Sequence, residues 1–377
     1  MHVVLAPDKF KGSLSAADVA RHLTAGLRRA VPGVTVVTVP VADGGDGTLD
    51  AACAAGFRAV PVVATGPTGA PVHTTYAERG GEAVVELAAV SGLAQLPDGQ
   101  PDALGASSAG TGELIAAALD AGCRRIVLGV GGSACTDGGA GMLGALGAVL
   151  RDVDGRVLPP GGGALSRVAS LDLAGLHPGL ASAEVVLASD VDNPLTGPRG
   201  AAAVFGPQKG ATPGQVAILD AGLRRWAEVV AAHTGRDRSG EPGAGAAGGV
   251  GFAALALLGA QPRPGIDLVL ELAGFDDALR GADLVVTGEG SLDEQTLRGK
   301  APVGVAAAAA AAGVPVVAVA GRTTLSSEIL ADHDIHGVYS LTDLEPDPDR
   351  CIADAGRLLE RVGQVLASEW VLAKEGA

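Results

Sequence analysis

The sequence predicts an α/β protein of two domains: a discontinuous one whose parallel sheet draws on both ends of the chain, and a mixed α/β domain inserted into it. Three observations lead there. Both ends alternate β-branched runs with helical stretches, the pattern of parallel strands joined by crossover helices. Between about 64 and 282 the texture changes, with turn residues separating short alternating runs. A chain of 377 residues also exceeds one ordinary core. Neither terminal piece is large enough alone, so residues 1–63 and 283–377 are expected to join, with 64–282 inserted. No internal repeat of 20 to 50 residues is visible.

The elements follow in order. "HVVLA" (2–6) is a short apolar strand and "PDKFKGSLS" a loop. "SAADVARHLTAGLRRAV" (15–31) spaces Val19, Leu23 and Leu27 for one helix face, with Ser15 and Asp18 set as a capping box. "VTVVTVPVAD" (34–43) is a second strand. "TGPTGAPVHTTYAERGGEAVVELA" (65–88) reads as hairpins. A helix at 110–122, a strand at 124–130, a glycine-rich turn and a helix at 138–150 come next. The segment 236–249, "RDRSGEPGAGAAGG", is the most linker-like and is expected to be a mobile flap. Strands at "DLVVTG" (283–288), "VPVVAVAG" (314–321) and "HGVYSL" (336–341) follow, and a last helix runs from about Asp349 to Val371.

Composition excludes several classes. The apolar fraction of 47% and mean hydropathy of +0.34 come from alanine, valine and leucine in interrupted pieces. The longest, "APVGVAAAAAAAGVPVVAVAG" (301–321), is broken by glycine and proline and reads as helix, turn and buried strand. "MHVVLAPDKF" lacks a basic n-region and a cleavage site, so the expectation is a cytoplasmic protein. Four scattered cysteines without a CxxC suit a reducing compartment. A net charge of −15 argues against nucleic acid or anionic membrane as partner. A small anion stays open if lysines gather at its site.

Five loops just after expected strands combine glycine, carboxylates and isolated lysines, and in open parallel sheets ligands bind outside the carboxyl ends of strands. "APDKFKGS" presents Asp8, Lys9 and Lys11, though an ordinary βα loop with solvated lysines would look the same. "VADGGDGTLD" sets Asp43 and Asp46 among three glycines, more glycine than a capped turn requires. "GVGGSACTDGGAGM" offers Gly131, Gly132 and Ser133 as a phosphate cradle opening a helix, with Thr136 and Asp137 adding oxygens; glycine there also suits close helix packing. "ASDVDNPLTGPRGAAAVFGPQKGA" starts with Asp190, fit to ligate Mg²⁺ or accept a hydroxyl proton. Asp192 and Asn193 follow, alternatively a simple Asx turn, and then Lys209. "TGEGSLDEQTLRGK" (287–300) is read as a flexible turn ending a buried strand. Its glycines would let amides approach an anion, Glu289, Asp293 and Glu294 would hold a cation, and Lys300 would neutralise phosphate.

No Walker A loop, protein-kinase H-R-D or D-F-G, or G-x-S-x-G elbow occurs, and the close pair His333 and His336 lacks further ligands at zinc spacing. Phosphoryl transfer fits what remains, since it needs positioning and charge neutralisation more than a histidine or serine nucleophile.

These motifs, together with "SSAGTGELI" and "GAAGGVGFA" and in this order across nearly the whole chain, resemble the bacterial glycerate kinases of the glycerate 2-kinase type. The resemblance implies a Rossmann-like discontinuous domain, a site in the cleft between domains, and ATP- and Mg²⁺-dependent phosphorylation of glycerate, usually to 2-phosphoglycerate. Alternatives are a 3-phosphoglycerate-forming kinase, a kinase for another small hydroxy acid, or a catalytically silent sugar-acid or nucleotide-binding protein. Self-association as a homodimer is left open. One departure stands out: where the family is expected to read Thr-Asn before the Asp-Gly-Gly, this chain has Cys135 and Thr136. On this reading Asp190 is the base or magnesium ligand, with Asp43, Asp46 and Asp293 as the metal-site carboxylates. Lys300 with Lys9 or Lys11 would meet the transferring phosphate or the glycerate carboxylate. Asp8, Gly131, Gly132, Ser133, Thr136, Asp137, Asn193, Lys209 and Glu289 would bind substrate or phosphate.

Overall fold

The computed structural model describes residues 1–372. Its strands are β1 (His2–Pro7), β2 (Thr35–Thr38), β3 (Arg58–Thr65), β4 (Pro71–Arg79), β5 (Glu82–Glu86), β6 (Arg125–Gly129), β7 (Val149–Arg151), β8 (Ser170–Asp172), β9 (Glu184–Ala188), β10 (Gln261–Arg263), β11 (Leu284–Leu292), β12 (Val316–Thr323) and β13 (Ile335–Ser340). Two compact units result. The first takes Met1–Asp43, Asp50–Ala55 and the chain from Ile266 onward; the second takes Gly44–Leu49 and Gly56–Gly265.

The first unit is built on a parallel sheet of order β13-β12-β11-β1-β2. Because successive strand residues face opposite ways, Val3 and Leu5 of β1 pack on one side and Val4 and Ala6 on the other. Val3 and Leu5 meet Val19, Leu23 and Leu27 of the helix Ala16–Ala30, together with Leu358, Leu359 and Val362 of the helix Ala355–Leu366. Val4 and Ala6 share the other layer with Val305, Ala306 and Ala309 of the helix Ala301–Ala311. Helices on both faces of a parallel sheet make this unit doubly wound, the Rossmann-like arrangement the resemblance implied. Of the expected capping box one half is present, as Ser15 Oγ accepts the Asp18 N–H at 3.1 Å, while Asp18 Oδ2 accepts from the Ser15 hydroxyl at 2.7 Å. Gly26 lets the two helices close up, since a Cβ there would lie 2.1 Å from the Glu360 carbonyl oxygen.

The second unit carries a mixed sheet, β10-β9-β6-β5-β4-β3, in which β10, β9, β6 and β5 are parallel and β4 and β3 antiparallel. The hairpins read from 65–88 are β3-β4-β5. Around Trp226 of the helix Pro213–Thr234 a large apolar core forms, and the indole donates to the Gly138 carbonyl at 3.0 Å. Compared with the expected boundaries, residues 56–63 go with this unit because β3 pairs along its length with β4. Residues 266–282 go with the first because Ile266, Val269 and Phe275 are buried in its core.

Three local expectations need correction. The stretch 287–292 is not a turn: β11 continues through it, with Glu289 opposite Ala320 and Ser291 opposite Arg322 of β12. Segment 236–249 is not a flap. Ala244, Gly245 and Ala246 are buried, and Gly245 N–H donates to Asn193 O and Gly138 N–H to Gly248 O. Its glycines serve close packing, since a Cβ on Gly248, at φ +66°, would lie 2.1 Å from the Cys135 carbonyl oxygen. The helix expected over 138–150 spans only Ala140–Ala145, and the chain then turns through Gly147, at φ +104°, into β7.

Candidate active site

In the first unit the candidate side chains Asp8, Lys9 and Glu289 sit at the carboxyl ends of β1 and β11. Leaving β1, the Asp8 amide donates to Gly288 O of β11 at 2.8 Å, and the Lys9 amide donates to Asp8 Oδ1 at 2.6 Å. The glycines around Glu289 serve strand packing. A Cβ on Gly288 would meet Val319 O at 2.0 Å, and one on Gly290 would lie 3.3 Å from the Lys11 amide nitrogen. Glu289 itself is 8% exposed. Its Oε1 accepts from Thr296 Oγ1 at 2.5 Å, and its Oε2 lies 3.6 Å from Lys300 Nζ.

Crowded carboxylates set the electrostatics here. Burial pushes the Asp8 carboxyl from its ordinary 3.8 up to about 7; the Lys9 amide and ammonium oppose the rise, and Asp43 and Glu289 add to it. Burial likewise raises Glu289, against Thr296 and Lys300, while Asp293 and Asp43 push the same way as burial. Asp8, Lys9, Asp43, Glu289 and Lys300 therefore form one electrostatically linked group. Asp293 stands beside it with one oxygen engaged locally, because Oδ1 accepts the Gln295 N–H at 2.8 Å in the turn that also buries Thr296. Lys11 is exposed. Perturbed acids gathered at strand ends make this a candidate functional site.

The second unit gathers another set at the carboxyl ends of β5, β6 and β9. The turn Gly44–Asp46 lies against these ends with almost no clearance: a Cβ on Gly44 would be 2.6 Å from the Gly265 Cα, and one on Gly131 2.6 Å from the Gly45 Cα. Buried Glu86, at the end of β5, takes the Leu49 N–H at 2.9 Å and so pins this turn. Asp190, exposed just past β9, accepts the Gly265 N–H on Oδ1 at 2.9 Å. Asp46, Gly131, Gly132 and Asp190 are thus brought to one end of one sheet. Asn193 is held by its own loop, its Nδ2 donating to Arg199 O at 2.8 Å.

Behind this edge lies a buried polar network, and it corrects the expected cradle. The amides at the start of the helix Ala140–Ala145 are already taken by Asp137, which receives Gly139 N–H on Oδ1 at 3.1 Å and Gly141 N–H on Oδ2 at 3.2 Å. Ser108 adds its amide and hydroxyl to the same carboxylate at 2.8 to 3.0 Å. Asp137 and Thr136 are 0% exposed and Lys209 is 1% exposed, so none of the three faces solvent. Lys209 Nζ donates to Ser133 Oγ at 2.7 Å and to the Cys135 carbonyl at 2.5 Å. Burial lowers the Lys209 pKa, while Cys135 and Asp137 oppose that fall. The part of the turn left for a ligand is Gly131–Ser133.

Reading the sequence missed Glu86, Ser107, Ser108 and Thr296. "SSAGTGELI" carried the two serines as a motif, but their carboxylate partner lies 29 residues or more further on. Glu86 stood inside a hairpin reading.

The family model described as the glycerate kinase family matches residues 3–371. The chain belongs to the glycerate kinase family. It is 44% identical over 377 residues to a glycerate kinase of Bacillus subtilis (strain 168), covering 99% of each chain. To a glycerate 2-kinase of Escherichia coli (strain K12) it is 43% identical over 344 residues, 90% of each. A solved structure from Salmonella typhimurium LT2, named as a candidate glycerate kinase 2, superposes with a TM-score of 0.88 at 42% identity, covering 100% of this chain and 99% of that one. Glycerate kinases are phosphotransferases, so the chain sits in an enzyme class. Among the described residues no helix is long and apolar enough to cross a membrane.

Proposed function

We propose that this protein transfers the γ-phosphoryl group of ATP to D-glycerate, with Mg²⁺, to give 2-phosphoglycerate. The observation that carries the reading is the linked group of Asp8, Lys9 and Glu289 at the ends of β1 and β11 with Asp43 after β2 and Lys300 at the start of the helix Ala301–Ala311, Asp8 being raised to about 7. Such a group offers cations for oxyanions beside a carboxyl poised to exchange a proton near neutral pH. Family membership supplies the reaction class.

Among the described residues no three His, Cys, Asp or Glu side chains converge to hold a metal by themselves. Magnesium is commonly bound by one or two carboxylates plus substrate phosphates, and the neighbouring carboxylates that add to the burial-driven rise of Asp8 and Glu289 are what a cation would relieve, so the residues fit the ion. Asp43, with Asp46 and Asp293, is the proposed carboxylate set. When bound, Mg²⁺ would neutralise charge on the transferring phosphate. Lys300 and Lys9 balance the remaining negative charge, on phosphate or on the glycerate carboxylate, and Gly131–Ser133 supplies donors for phosphate oxygens. The glycerate hydroxyl proton goes to Asp190 or to Asp8. Asp190 is the more exposed, and Asp8 has the better matched pKa.

The test is ADP release with and without D-glycerate, extended to L-glycerate, glycolate, lactate and tartronate. Release that depends on D-glycerate supports the reading. Preference for another hydroxy acid moves the substrate, and nucleotide binding without turnover on any of them favours a silent binding protein.

A further inference from the structure

We propose that Lys209 is a positioning residue, which from inside the core fixes the Ser133 hydroxyl as an outward hydrogen-bond donor for an oxyanion at the Gly131–Ser133 edge. Resting on the proposed phosphate role of that edge, this names how the site is built and what it takes. Three observations converge. The Lys209 ammonium, 1% exposed, is spent on Ser133 Oγ at 2.7 Å and on the Cys135 carbonyl at 2.5 Å, so it cannot itself reach a ligand. An ammonium can only donate, so Ser133 Oγ is the acceptor in that bond and keeps its own O–H for another partner. Among the described residues no acceptor receives that O–H, although Ser133 is only 6% exposed. A buried hydroxyl hydrogen without an acceptor is costly alone and is satisfied by an anionic oxygen placed at the edge.

The surroundings explain why a lysine is tolerated there. Asp137 interacts electrostatically with Lys209, so the buried charges offset each other, and Asp137 is anchored by Ser108, Gly139 and Gly141. Neighbouring amides are committed elsewhere, with Ala134 N–H donating to Ser91 O and Gly138 N–H to Gly248 O. Ser133 is therefore the side-chain donor of this edge, and Lys209 is the group that orients it. The oxyanion is either a phosphate of the nucleotide or the carboxylate of the hydroxy acid.

Steady-state kinetics of Ser133→Ala, Lys209→Met and the double variant, with KM for ATP and for D-glycerate measured separately, tests this. The expected result is a rise of about 10- to 100-fold in one KM for Ser133→Ala, with a smaller change in kcat and a modestly lower Tm, because the buried ammonium loses one acceptor. A rise confined to ATP identifies phosphate, and one confined to glycerate identifies carboxylate. Lys209→Met should raise the same KM, and adding Ser133→Ala to it should change that KM less than twofold further. Should Lys209→Met fail to fold, Lys209→Leu, which also removes the N–H donated to Ser133, takes its place under the same criteria. An unchanged KM for both substrates in Ser133→Ala, or effects of the two variants that multiply, would overturn the inference while leaving the kinase reading intact. If the wild type shows no kinase activity, thermal shift with inorganic tripolyphosphate decides: stabilisation of wild type but not of Ser133→Ala supports the donor, and equal stabilisation refutes it.

Discussion

Replacing Asp8 by Asn should make the metal-free protein more stable at alkaline pH while lowering its activity. The magnitude follows from the gap between the ordinary carboxyl value of 3.8 and the folded value of about 7. At about 1.4 kcal/mol for each step of one in pKa, that gap is worth about 4 kcal/mol, which partial solvent access reduces to about 2 kcal/mol. The folded value is the higher one, so ionisation is penalised in the folded state. Stability from this group is full below pH 3.8 and is lost as pH rises to about 7. Asparagine has the same shape and no charge to bury, so Asp8→Asn should match wild type below about pH 3.8, exceed it slightly at pH 5 and exceed it by the full amount at pH 8. For a unit of this size about 2 kcal/mol corresponds to about 4 to 8 °C in Tm. Thermal melts of both proteins in EDTA, from pH 5 to 8.5, measure the difference directly. A Tm difference that stays constant over that range, or falls with pH, would refute the assignment of a buried, crowded carboxyl.

Asp190→Asn and Lys300→Met should each lower kcat/KM by about 100- to 1,000-fold with Tm nearly unchanged, and unfolding of either variant would point to a purely structural role. Asp137→Ala strips the buried acceptor from Ser108 and two helix amides and removes the charge that offsets Lys209, and should destabilise by about 3 to 5 kcal/mol in chemical denaturation. A variant as stable as wild type would contradict the network. Gly248→Ala puts a Cβ 2.1 Å from the Cys135 carbonyl oxygen at a φ of +66°, so a loss of at least about 2 kcal/mol is expected; an unchanged melt would show that segment 236–249 yields.

The parallel sheet was legible because β1, β11 and β12 announce themselves as β-branched runs at the ends of the chain, and their alternation fixes which residues face which helix layer. Glycine was harder to read. In 287–300 and 236–249 the same residue that signals a flexible turn serves close approach instead, and the atoms it must clear, Val319 O and Cys135 O, come from distant sequence. Asp137 and Lys209 were misread as ligand-facing for a related reason. A buried polar network and a surface loop have the same local composition, and only the fold brings Ser108 to Asp137 and Ser133 to Lys209. Asp8 and Glu289 could be picked out as candidates because they stand just past or within the ends of apolar strands, where an α/β sheet presents its ligand groups.

The most direct measurement is ³¹P NMR of a reaction of the purified protein with ATP, Mg²⁺ and D-glycerate. The account predicts growth of one phosphomonoester resonance, split into a doublet by the single hydrogen on C2, as the γ-phosphate signal of ATP disappears. A triplet would instead place the phosphate on the CH₂ of C3, and an ATP spectrum that stays unchanged would contradict the proposed transfer itself.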